Sequence, residues 1–296
     1  MSTSLDKLRA AMESASPTEG AKKSYSDDRY WKPELDKSGN GFAQIRFLPT
    51  PEGEEMPWVS YWDHGFQGPG GWYIEKSLTT LNKQDPVSEY NTQLWNTGIE
   101  ANKEIARKQK RRLHYVSNVY VVSDPKNPDN EGKVFKYRYG KKIFEMLKEA
   151  ISPAFADENA INPFDLRGEG ANFKIKIRKV DGYWNYDKSE FDTPAPLFAE
   201  EDKLNEVVAS LHSLSGIIAP EEFKSYEELK EKFDRVLGLT GATATSTAES
   251  IAEDMEEVPW SDVNKEPVAE EPVIASADTS DSDDAMDYFK KLASDS

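Results

Sequence analysis

Apolar and polar positions alternate with a period of two in separate stretches of this chain. In "NGFAQIRFLP" (40–49), Ala43, Ile45 and Phe47 fall on one face and Gln44 and Arg46 on the other, the pattern of a half-buried strand opened by a turn. "ANFKIKIRKV" (171–180) repeats it, with Phe173, Ile175 and Ile177 opposed to Lys174, Lys176 and Arg178. "YVSNVYVV" (115–122) is a β-branched and aromatic run. It is followed by the turn-forming "SDPKNPDNEG" and a returning strand, "KVFKYRY", which together predict a long-looped hairpin. Helical periodicity comes later. "NEVVASLHSL" (205–214) places Val207, Val208, Leu211 and Leu214 on one helical face. "SYEELKEKFDRVLG" opens with a capping box, Ser225 with Glu228, and stops at Gly238. Strands followed by helices make an α+β body over residues 21–240.

The ends read differently. In residues 1–20, Leu5, Leu8 and Met12 recur at helical spacing until "SPTEG". A frayed terminus and a docking helix for a neighbouring molecule both fit that pattern. "TGATATSTAES" (240–250) is a small, polar linker. Beyond it lies an acidic, Ser- and Ala-rich tail with too few apolar groups to offset the entropy of ordering. Met286, Phe289 and Leu292, spaced three apart near its end, suit a short helix that folds against a partner groove.

Charge sharpens this division. The 296 residues carry a formal net charge of −17, yet Glu249–Ser296 holds fifteen acids against three lysines. The tail therefore accounts for −12, and only −5 remains for the body. Within the body, Lys103–Arg112 has six cations and one acid, and "KVFKYRYGKK" (133–142) has five cations and no acid. Overall acidity thus does not exclude an anionic ligand. The absence of cysteine excludes disulfides and thiolate chemistry. No apolar run reaches the length of a membrane span, and no secretory signal begins the chain, so a soluble intracellular protein is expected. There is no phosphate-binding GxxxxGK[ST] loop, "GEGANF" departs from the dinucleotide fingerprint, and His64, His114 and His212 lie in no metal-ligand spacing. Neither an enzyme nor a cofactor is expected.

The basic segments carry rings as well. In a strand, Phe135, Tyr137 and Tyr139 share one face, while Lys136 and Arg138 share the other. The charged face implies a strand at least half exposed. "KQKRRLHY" sets Lys110, Arg111 and Arg112 before Tyr115, and "DGYWNYDKS" places Tyr183, Trp184 and Tyr186 after a basic strand. Cations for phosphates and rings for unpaired bases are what single-stranded nucleic acid requires. A core strand with a solvated cationic face would read the same way for any one segment, and the recurrence favours a barrel-like sheet lined for a strand. An RNA-binding regulator and an acidic-tailed interaction hub remain as alternatives at this point.

Several stretches carry a specific resemblance. "LDKSGNGFAQIRFLP", "DHGFQGPGGWYIE" and "DPKNPDNEGKVFKYRYGKKI", then "GANFKIKI", "NYD" and "FKSYEEL" in order, resemble the helix-destabilising, single-stranded DNA-binding proteins of T-even-type bacteriophages over residues 30–240. The resemblance implies an oligonucleotide-binding (OB-like) β-barrel with a smaller accessory lobe and DNA in the cleft between them. It implies cleft positions at Arg46, Lys110, Arg111, Tyr115, Tyr137, Tyr183 and Tyr186, to which the residue reading adds Arg112, Lys136, Arg138 and Tyr139. It implies coating of DNA during replication, recombination and repair in the cytoplasm of an infected bacterial host, and self-association along the strand. The tail resembles the family in composition more than in letters; its residues Met286, Phe289 and Leu292, singled out by their spacing, are expected to recruit replication proteins such as a polymerase, helicase loader or recombination mediator.

The chain departs from the family in two places. A family zinc site uses one histidine and three cysteines, whereas here the matching positions are His64, Ser77, Val87 and Tyr90. One histidine cannot make a four-ligand site, so no metal is expected, and apolar packing of Trp62, Trp72, Leu81, Tyr90 and Trp95 is expected to hold the lobe. The family's basic triplet before Ser or Thr in the N-terminal arm is reduced to Lys7 and Arg9 beside Asp6, and "KRR" (110–112) is followed by Leu and His.

Overall fold

The computed structural model of the chain describes residues 27–155, 159–180 and 182–239. The N-terminal arm and the acidic tail, with Met286, Phe289 and Leu292, lie outside the described residues. Nine strands and five α-helices make an α+β fold around one mixed sheet. In chain order the first elements are β1 (Tyr30–Trp31), β2 (Gly41–Phe47), β3 (Trp58–Gly68), β4 (Gly71–Lys76), α1 (Pro86–Asn96) and α2 (Glu100–Lys108). Then come β5 (Arg112–Ser123), β6 (Val134–Gly140), α3 (Lys141–Ile151), β7 (Phe173–Val180), β8 (Tyr183–Asn185), β9 (Glu190–Phe191), α4 (Glu201–Ala209) and α5 (Tyr226–Leu237).

The main path through the sheet runs β1-β6-β5-β2-β7-β8, with β3 on β5, β4 on β3 and β9 on β7. The expected hairpin is present as β5 and β6, antiparallel with Val119 opposite Phe135 and Ser117 opposite Tyr137. Its connection is shaped by Asp124, whose carboxylate accepts from Asn127 N, Asn130 Nδ2 and the indole of Trp31. On one face of the sheet Ile45, Phe47, Val119, Phe173 and Ile175 are buried with α3 residues Ile143 and Leu147. The other face is also covered. Val116 and Tyr61 pack with Leu214, and Leu48 packs with Leu166, Leu204 and Val207. Covering on both sides overturns the half-exposed reading of residues 133–139.

The first of the two helices read from the sequence of the body, "NEVVASLHSL", stops short of its pattern. α4 ends at Ala209, where Ser210 Oγ donates to the carbonyls of Glu206 and Val207, a side chain competing with the helix ladder. Leu204 and Val207 are its buried residues and Val208 is exposed, while Leu214 serves a different cluster. α5 begins with the expected capping box and ends at Gly238 in the left-handed conformation (φ 70°).

A second apolar centre forms beside the main sheet, here called the lobe. β3 runs on past β5 to pair with β4, and α5 returns to close it. Phe66 and Tyr73 from the hairpin meet Leu229, Phe233 and Val236 from α5, with Leu78 and Val87. The contact is tight at the hairpin tip. Gly70 N donates to Val236 O at 2.8 Å, and a Cβ at Gly70 would stand 2.2 Å from Arg235 O. No side chain larger than hydrogen fits there.

Candidate nucleic-acid interface

Five rings form a row that passes from buried to half-buried, with Trp31 tilted at 58° to Tyr137 and the other neighbours stacked. Trp31 and Tyr137 are 5.4 Å apart, Tyr137 and Tyr139 5.5 Å, and Tyr139 and Tyr115 5.8 Å. Phe144, on the first turn of α3, stacks on Tyr115 at 3.9 Å with 8° between planes. The strand register explains the gradient. Tyr115 and Tyr139 are directly opposed near the end of the β5–β6 ladder, and Tyr137 lies two residues further in. Tyr137 is 2% exposed and Tyr139 3%, and the Tyr139 hydroxyl pairs with Ser117 Oγ at 2.8 Å. Both are core residues, not the open stacking platforms expected from the sequence. Burial raises the hydroxyl pKa of each. Tyr115 and Phe144 are half-buried and present the outer end of the stack.

The other expected rings lie nearby on β8 and just after it. Tyr186 is half-buried against the same cluster, its hydroxyl pKa pushed up to about 12 by burial, and Tyr183 is 43% exposed.

The expected cations divide into those already committed and those that are not. Arg46 is 1% exposed. Its guanidinium donates to Asn172 Oδ1 at 2.9 Å, Asp165 O at 3.1 Å and Ala195 O at 2.8 Å, so it staples loops over β2 and is not at an open surface. Lys136 is 4% exposed, with Nζ 3.0 Å from Asp27 Oδ2 and 4.3 Å from the centre of the Tyr30 ring. Arg138 donates to the Tyr61 hydroxyl and lies 3.9 Å from Asp63, which also holds His114. Arg112 donates to Gly65 O at 2.6 Å. The outward cations of β7 are neutralised in a ladder, Lys174 by Asp192, Lys176 by Glu190 and Arg178 by Asp187.

Among the described residues, Lys110, Arg111, Lys142 and Lys179 have no carboxylate within 4 Å. Lys110 is exposed. Arg111 lies over the Trp62 ring at 4.4 Å, its pKa lowered by burial against the opposing field of Asp85. Lys142 donates to Asn185 Oδ1 at 3.2 Å, and Lys179 covers Trp184 at 5.5 Å. Separate contacts connect parts of this set: Arg111 with Trp62, Tyr115 with Phe144, Lys142 with Asn185 and Lys179 with Trp184. Trp62 stands opposite Leu113, two residues from Tyr115; Phe144 joins Tyr115 to α3, and Lys142 joins α3 to β8. Sequence reasoning missed Phe144 and Asn185, assigned Trp62 to the packing of the lobe, and counted Lys142 among the cations of residues 133–142 without placing it in the site. The only available signal was that Lys142 and Phe144 sit directly after the ring-rich strand.

A family described as "gp32 DNA binding protein like" matches residues 39–237. The chain belongs to this family. Proteins named single-stranded DNA-binding protein from Enterobacteria phage T2 and Enterobacteria phage T4 are each 39% identical over 254 residues, covering 81% of this chain and 82% of theirs. A protein of the same name from Escherichia phage SV14 is 42% identical over 78 residues, covering 25% of this chain and 69% of its own. The gp32-like match contains the lobe and every strand of the sheet except β1.

The metal implied by resemblance to these gp32-like proteins does not fit the residues present. His64 is buried, with Nδ1 2.9 Å from Gln109 O and Nε2 3.2 Å from Asp85 Oδ1. Both ring nitrogens face acceptors, so neither is turned to a metal. Asp85 also accepts from Ser77 Oγ, Leu78 N and Ser88 N. Burial raises its carboxyl pKa, but the hydrogen bonds and charge of His64, with Ser88 N and Ser77, hold it well below the usual range. Val87 is in the lobe core and Tyr90 packs on Phe233 at 5.2 Å. Of the rings and leucine expected to hold the lobe, Tyr90 alone joins its apolar cluster. Trp62 carries Arg111, and Trp95 carries Lys103 and Arg107. The buried residues of the cluster are Phe66, Tyr73, Leu78 and Val87 with Leu229, Phe233 and Val236 of α5, more than a hundred residues downstream.

Proposed function

We propose that this chain binds and coats single-stranded DNA without sequence preference during viral DNA replication, recombination and repair, in the cytoplasm of the infected bacterial host. It acts by binding and catalyses nothing. The observation that carries this reading is the set of cations that have no carboxylate partner among the described residues, Lys110, Arg111 and Lys142, together with the half-buried rings Trp62, Tyr115, Phe144 and Tyr186. Phosphates replace water around Lys110, Arg111 and Lys142. Bases stack at Tyr115, Phe144 and Tyr186, at roughly 1–3 kcal/mol each. The curved sheet serves as an OB-like barrel with the lobe as the second wall of the cleft. Binding to unpaired strands and not to duplex lowers duplex stability by mass action.

The arm (1–20) serves self-association along the strand. The tail (241–296) recruits replication proteins through Met286, Phe289 and Leu292 and competes with DNA for the cations. Titration with oligothymidylate at low salt tests the central reading: quenching of tyrosine and tryptophan fluorescence is expected. No quenching favours an interaction hub, and tighter binding of matched RNA oligomers favours an RNA-binding regulator.

A further inference from the structure

Trp62 stands where β3 changes partners. Asp63, the next residue, is paired with Arg112 of β5 on one side and Lys76 of β4 on the other, so the indole lies at the junction of sheet and lobe. Its backbone is held at both polar groups: Trp62 N donates to Thr80 Oγ1 at 2.8 Å, and Trp62 O accepts from Ser77 N at 2.8 Å. The ring itself is half-buried and carries the Arg111 guanidinium at 4.4 Å from its centre. Among the described residues Arg111 has no carboxylate partner within 4 Å, whereas its neighbour Arg112 is turned to Gly65 O. A guanidinium lying on an aromatic face keeps its N–H edge available for two parallel hydrogen bonds to a phosphate, and the ring removes rotamer freedom in advance.

Resting on the single-stranded DNA reading above, we propose that Trp62 is the positioning residue for Arg111. It pins the guanidinium at the junction of sheet and lobe so that it receives one phosphate of the bound strand. Trp62 acts through Arg111 and not by stacking on a base. The two residues come from different strands, and neither serves the apolar core of the sheet or of the lobe.

The test uses the full chain and fluorescence anisotropy of a labelled oligothymidylate over a salt series. Trp62→Ala is expected to weaken binding roughly tenfold and to reduce the log–log salt slope by about 0.7, one phosphate contact. Arg111→Ala should do the same, and the double variant should bind no more weakly than Arg111→Ala alone. Trp62→Phe should fall between wild type and Trp62→Ala. The proposal is overturned if Trp62→Ala leaves the slope unchanged, or if it weakens the Arg111→Ala background by its full single-variant factor, as an independent base-stacking ring would. If Trp62→Ala loses the folded circular-dichroism spectrum, Arg111→Lys decides. Binding about tenfold weaker despite conserved charge supports the pinned planar guanidinium, and unchanged binding overturns it. Failure of the wild-type chain to bind at low salt would instead sink the DNA reading itself.

Discussion

Tyr115 and Tyr137 look alike in the sequence, each a tyrosine beside cations in a β-run, and the structure gives them opposite work. Tyr115 ends the ring stack at the surface, whereas Tyr137 is sealed between Trp31 and Tyr139. Tyr115→Ala is expected to cost roughly 1–3 kcal/mol of DNA binding with a nearly unchanged thermal midpoint. Tyr137→Ala should cost about 3–5 kcal/mol of folding stability, read by denaturant unfolding. The lysines part in the same way. Lys142→Ala should reduce the salt slope of binding by about 0.7, and Lys176→Ala, already paired with Glu190, should leave the slope unchanged. Sequence alone selected residue types suited to phosphates and bases. It could not tell Arg46, enclosed by three acceptors from loops 119 to 149 residues away, from Arg111, whose guanidinium has no carboxylate within 4 Å among the described residues. Partner atoms so distant in the chain leave no local trace.

At the level of elements, alternation and capping were read directly. β2, β5, β6, β7 and α5 lie where period-two patterns, turn formers and the Ser225–Glu228 box put them, because those signals are local. α4 stopped early because Ser210 bonds back to the helix. The lobe was legible only as a histidine without cysteines. Its organisation depends on Asp85, which caps α1 while binding His64, Ser77 and Leu78. Asp85→Ala is therefore expected to destabilise the lobe by about 3–5 kcal/mol, since it strips a buried pair of one partner. A strong chelator should leave the thermal midpoint of the wild-type chain unchanged. The pH dependence has a definite sign. The folded-state pKa of Asp85 lies below its unfolded value, near 3.9, so its contribution is fully present above that value. It is lost as pH falls towards the folded pKa. Acid unfolding of wild type should thus show a loss of stability below about pH 4 that is much reduced in Asp85→Ala.

On the scale of the whole molecule, charge is segregated: −12 in the last 48 residues against −5 in the rest. Removal of the chain after residue 240 is expected to tighten binding to short oligonucleotides at low salt, with the difference fading as salt screens the tail. Equal affinities at low salt would refute competition by the tail. By itself, the sequence determined the α+β class, the acidic tail, the exclusion of thiolate chemistry and the pool of rings and cations, because composition and short-range periodicity suffice for these. Tertiary structure alone decided which members of that pool meet solvent. Burial and ion pairing are set by strands and loops brought together from across the chain, and they leave Tyr115, Phe144, Lys142 and the Trp62–Arg111 pair at one end of the sheet while closing Tyr137, Lys136 and Arg46 inside.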